Sequence, residues 1–91
     1  MPKGLSVIFH NGILLAKLYN TVIVEYIPAD NRLTLRSGGW WTMHTKKCIN
    51  LVLAEYGFKV VQRKKQWYVY SGTNIVGLFH NETWQNDTLA A

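Results

Sequence analysis

The 91-residue chain has one cysteine, two prolines and five acidic residues. One cysteine excludes an internal disulfide, so a reducing compartment is expected. With so few carboxylates, and no two spaced as an acid–base pair, general acid–base chemistry has little to draw on. No Gly-x-x-x-x-Gly-Lys phosphate loop and no Gly-x-Ser-x-Gly elbow occurs. There is no apolar run long enough to span a bilayer, and the stretch before His10 does not resemble a signal peptide. Three histidines invite a metal test. His44 and Cys48 are four apart, as two ligands on one helix face would be, but no spacing supplies the remaining ligands. The chain therefore reads as a non-enzyme without a metal or other cofactor, expected in the cytoplasm.

What it has in quantity is apolar and aromatic residues, 48% and 13% of the chain, together with a net charge of +5. That is a folded composition and the size of one small domain. The charge is unevenly placed. Residues 1–31 balance at zero. Residues 32–70 carry eight cations against Glu55 alone, and residues 71–91 carry only Glu82 and Asp87. A cationic middle implies an electropositive face and an acidic partner, either nucleic acid or an acidic protein surface.

Strand signals flank one helical stretch. Asn11-Gly12, a strong two-residue hairpin turn, separates strands at Ser6–His10 and Ile13–Leu18. Thr21–Ile27 is dense in β-branched residues. Arg32–Arg36 alternates, placing Leu33 and Leu35 inward and both arginines in water. Gly38-Gly39 permits a sharp reversal. Thr42 and Thr45 are both candidate helix N-caps. Cys48, Ile49, Val52, Leu53 and Tyr56 follow at helical spacing, with Lys46, Lys47, Asn50 and Ala54 opposite, and Gly57 ends the helix. Buried among apolar neighbours, Cys48 is expected to be unreactive. Strands are then expected at Lys59–Gln62, Gln66–Tyr70 and Ile75–Phe79. In Gln66–Tyr70, Trp67 and Val69 fall on one face and Tyr68 and Tyr70 on the other. The order ββββ-α-βββ is an α+β domain: an antiparallel hairpin-connected sheet with one helix across a face. Its folded core spans about residues 5–80, and residues 81–91 are expected to fray.

The pattern Ser37-Gly38-Gly39-Trp40, Thr42, Thr45-Lys46 and Asn50 resembles one found in small uncharacterised proteins of tailed bacteriophages. Tyr19-Asn20-Thr21-Val22, Val61-Gln62 and Gln66-Trp67-Tyr68-Val69 extend the likeness over roughly residues 17–80. It departs from the pattern at Trp41 and His44. The resemblance implies a phage accessory protein acting in the cytoplasm of a bacterial host. It implies no activity.

Basic residues interleaved with aromatics are the best functional signal. Arg36, Trp40, Trp41, Lys46 and Lys47 lie around the glycine turn, and Arg63, Lys64, Lys65, Trp67 and Tyr68 around the later hairpin. Cations neutralise phosphates while aromatic faces stack bases, the combination that holds single strands. Adjacent tryptophans in extended chain point to opposite sides, and Trp40 is expected inside with Trp41 outside. Nucleic-acid binding with little sequence preference is the leading expectation. The alternative, inhibition or modulation of a host protein through its acidic surface, uses the same residues, since Trp, Tyr and Arg dominate binding hot spots. Open sheet edges also permit self-association. Membrane-surface binding ranks lower, because the helix lacks a sustained basic face.

Overall fold

A computed structural model of the chain describes residues 2–80 and 83–86. Eight strands and one α-helix follow the chain: β1 (Leu5–His10), β2 (Ile13–Leu18), β3 (Thr21–Ile27), β4 (Arg32–Arg36), α1 (Met43–Leu53), β5 (Phe58–Arg63), β6 (Gln66–Ser71), β7 (Asn74–Phe79) and β8 (Thr83–Gln85). The α+β class is as expected. The strands form two sheets, however, and not one. Five strands run in the order β1-β2-β3-β4-β8 and three in the order β5-β6-β7, antiparallel throughout.

The division follows from the helix. α1 carries the chain away from β4, and β8 returns to take the edge that β5 would otherwise occupy. Thr83–Gln85, within the segment expected to fray, is a strand paired with β4. Residues 81–82 and 87–91 lie outside the described residues. Two side chains add to the backbone pairing that holds β8 against β4. The Asn86 side chain accepts from Leu33 N at 2.8 Å and donates to Asn31 O at 2.8 Å, so it copies a strand's pairing. The half-buried Trp84 packs on the core over Gly77, where a Cβ would collide with its indole. Because β4 has a neighbour on each side, Thr34 is buried along with Leu33 and Leu35.

α1 starts at Thr42, whose hydroxyl accepts from Thr45 N at 3.2 Å. The helix buries Thr45, Cys48, Ile49 and Leu53. A 3₁₀ turn over Ala54–Tyr56 leads to Gly57 at φ 81°, the left-handed terminus expected. The core lies between the sheets and α1. Ile23, Val24, Leu33 and Leu35 face it from one sheet, and Val60, Trp67, Val69 and Phe79 from the other. Asn50 departs from its expected solvent face. Its amide donates to Val60 O at 3.0 Å and accepts from Val60 N at 2.6 Å. This satisfies an edge strand's exposed backbone and ties α1 to β5. Tyr26 packs edge-on against Tyr56 at 4.9 Å and Phe58 at 5.7 Å, which joins the far ends of the two sheets.

Candidate nucleic-acid interface

The β5–β6 hairpin closes with Arg63 opposite Gln66, so Lys64 and Lys65 are its two-residue turn. Their φ values are 51° and 67°. A two-residue turn with both central residues left-handed matches the right-handed twist of paired strands, and it favours Asn-Gly for steric reasons. Two lysines occupy it here. Each carries a Cβ where Gly has none, at about 1–2 kcal/mol per residue. Arg63, Lys64 and Lys65 are all exposed.

The structure brings the glycine turn and helix start against this hairpin. Ser37 O accepts from Trp40 N at 3.0 Å, and Ser37 Oγ accepts from Gly39 N at 3.1 Å, which sets the turn that delivers the tryptophan pair. Trp41 meets Trp67 edge-on at 5.0 Å and Phe79 at 4.9 Å. From the first turn of α1, Lys46 Nζ donates to Gln62 Oε1 at 2.9 Å and stands 5.9 Å from the Trp67 ring centroid. Two basic and aromatic clusters, separate in the sequence, thus become neighbours. Lys47 is exposed beside Lys46, about 100° further around the helix.

The other face of the three-stranded sheet extends the site. Strand alternation puts Lys59, Val61 and Arg63 of β5 beside Tyr70, Tyr68 and Gln66 of β6. Lys59 Nζ lies 5.8 Å from the Tyr70 ring centroid, and the Tyr68 hydroxyl donates to Gln66 Oε1 at 2.9 Å. Tyr68 and Tyr70 are half-buried, with Lys59 and Arg63 exposed at their sides.

Several expectations about site residues are corrected. Trp67 is 4% exposed and belongs to the core, so no base can stack on it. The outward-facing aromatics of its strand are its half-buried neighbours Tyr68 and Tyr70. The alternation of Gln-Trp-Tyr-Val-Tyr carried that signal, and pairing with Lys59 completes it. The inward and outward assignment of the tryptophans also changes. Trp40 is 64% exposed, and Trp41, 40% exposed, is the one that packs on the core. Opposite directions were legible from the chain; which side faces the core was set by β6 and β7, downstream in sequence. Arg36 sits 3.5 Å from Glu25, in the one ion pair among the described residues. Both partners are more than a third exposed, so the pair stabilises little. It does draw the Arg36 charge toward the five-stranded sheet.

His44 Nε2 lies 2.9 Å from Lys3 O and 3.9 Å from Cys48 Sγ. Among the described residues no three His, Cys, Asp or Glu side chains gather as a metal site would need. Burial pushes the Cys48 thiol pKa up, partly opposed by Lys47. A thiol held neutral is a poor nucleophile. The geometry offers cations, aromatic faces and amides, and these suit binding.

No helix among the described residues is long and apolar enough to cross a membrane. No curated protein and no solved structure matches the chain. A family model described as Kyanoviridae Gp96 protein matches residues 5–90, a phage family in accord with the resemblance to tailed-phage proteins. Over nearly all of its length, then, the chain belongs to the Kyanoviridae Gp96 protein family.

Proposed function

We propose that this phage protein is a non-enzymatic accessory protein that binds nucleic acid with little sequence preference, through the β5–β6 tip and the two surfaces that meet there. The observation that carries this reading is the turn itself. Lys64 and Lys65 occupy left-handed positions where Asn-Gly would cost less. They stand at the end of a hairpin flanked by Lys46 and Trp41 on one face and by Arg63, Lys59, Tyr68 and Tyr70 on the other. Cations held outward at a steric cost serve a surface that meets phosphates. Backbone contacts of this kind carry no sequence information.

The test is a salt titration of the protein against fluorescent single-stranded and duplex oligonucleotides. Affinity is expected to fall linearly on a log–log plot, with a slope that counts the phosphates contacted. Replacing Lys64 and Lys65 together should reduce that slope by roughly 1.5–2. Absence of binding to either oligonucleotide at low salt overturns the reading. Capture of one specific host protein, lost on Trp41→Ala, would then establish the alternative of an acidic protein surface.

A further inference from the structure

Trp40 and Trp41 diverge, and Trp40 lines a second feature. A cleft of about 460 Å³ opens between the β2–β3 turn, the glycine turn and the start of α1. That lies within the range of small-ligand sites, about 300–1,000 Å³. Trp40 and Tyr19, 64% and 60% exposed, stand at its rim, and neither takes part in the aromatic contacts of the core. Leu18 and Ile23 supply apolar floor.

The walls are fixed in place. Tyr19 has φ 55°, an uncommon conformation for a bulky residue and one that is retained where its surroundings enforce it. Here they do. Tyr19 N donates to Gly4 O at 2.8 Å, and its ring lies so close to Gly4 that a Cβ there would come within 2.6 Å of it. Behind the lining, Gly38 of the glycine turn approaches Thr21 so closely that a Cβ would lie 2.7 Å from Thr21 Cγ2. The His44 bond to Lys3 O holds the N-terminal segment against the helix. Little ordering is left for a ligand to impose.

We infer that this cleft accepts one unstacked nucleobase from a bound single strand. The inference rests on the reading of the tip and sheet face as a nucleic-acid contact. The lining includes neither a carboxylate nor a lysine or arginine, which suits a neutral flat ring. Trp40 and Tyr19 offer faces for stacking, and the Asn20 amide and Thr21 hydroxyl offer donors and acceptors to a base edge. Because Trp40 and Trp41 are consecutive, a strand lying along Trp41 and Lys46 has the cleft one residue away. A duplex keeps its bases stacked and has none to insert.

The deciding experiment titrates the isotope-labelled full chain with single-stranded oligothymidylate and with a duplex of equal length, followed by NMR. The Trp40 indole N–H and the Asn20 side-chain amide are expected to shift with the single strand and not with the duplex. Trp40→Ala should weaken single-strand binding by about 5- to 100-fold, the value of one stacked base. Duplex affinity should be unchanged, and Trp40→Phe should retain most of the single-strand affinity. If Trp40→Ala leaves single-strand affinity intact while Lys64→Asn/Lys65→Gly weakens both ligands, the cleft assignment falls and the tip assignment stands. If the native protein binds neither oligonucleotide, both fall.

Discussion

Two hairpins turn with the same backbone and different residues. β1 and β2 join through Asn11 and Gly12 at φ 53° and 77°, and β5 and β6 through Lys64 and Lys65 at φ 51° and 67°. The first pair is what the geometry favours, since Asn tolerates the left-handed region and Gly has no Cβ. The second accepts strain at both positions and adds charge repulsion. Neither tip is buried, so packing does not account for the difference. The Asn-Gly turn serves the fold, whereas the Lys-Lys turn holds charge away from the body of the protein, next to aromatic surfaces. Local strain of this kind concentrates at functional sites.

Transplanting the costly turn breaks the comparison most severely. Asn11→Lys/Gly12→Lys should destabilise the protein by roughly 1–3 kcal/mol, the strain of two left-handed lysines less the unfolded-chain freedom removed with Gly12, read as a lower midpoint in urea unfolding. No atom lies within 4 Å of a Cβ built at Gly12, so at that position the penalty is conformational and not a clash. An unchanged midpoint would mean that left-handed lysines cost nothing here, and the functional reading of the second tip would lose its basis.

The sheet face beside the second tip comes next in size. Tyr70→Ala should weaken single-strand binding by about 5- to 100-fold, with duplex binding little affected. Fluorescence anisotropy on the two ligands checks it. Equal losses on both would indicate that Tyr70 only positions Lys59.

The reverse transplant sharpens the comparison from the other side. Lys64→Asn/Lys65→Gly should stabilise the fold by about 1 kcal/mol, the relieved strain less the extra freedom of Gly in the unfolded chain. For a domain of this size that raises the melting temperature by roughly 4–8 °C. The same variant should bind oligonucleotides less tightly, with the shallower salt slope given above. A variant at once more stable and less active identifies a tip shaped by binding. One that is more stable and equally active would remove the tip from the interface.

The smallest effect concerns the core between the sheets and the helix, where pH is the probe. Burial raises the Cys48 thiol pKa. It also raises that of Tyr26, with a further contribution from Tyr56. Both groups are neutral when protonated, and the folded state holds the proton more tightly than the unfolded state. Their stabilisation is therefore complete below their ordinary values and is lost as pH rises through the raised ones. Melting temperature should be flat near neutrality and decline on the alkaline side, with a shallower decline in Cys48→Ala. In native protein the thiol should label slowly at neutral pH and rapidly once unfolded.

The strand and helix boundaries were legible because local chemistry dictates them. Asn11-Gly12, the β-branched run Thr21–Ile27, the alternation of Arg32–Arg36 and the Thr42 cap each act within a few residues. The concentration of cations in the middle of the chain was equally plain. Long-range pairing decided the rest. Nothing near Thr83 announces that Asn86 will take over backbone pairing at Leu33, or that Gly77 leaves room for Trp84. Adjacent tryptophans must diverge, but which one meets the core depended on where Trp67 and Phe79 came to lie. The alternation of β6 held Tyr68 and Tyr70 outward in the sequence already, while the opposition of Lys59 to Tyr70 needed the register of β5. The two basic clusters became one surface when Lys46 reached Gln62, a contact between residues 16 positions apart. Local preferences determined the pieces of this protein. Tertiary packing decided which charges and rings share a surface, because side chains meet across elements whose relative placement only the shared core sets.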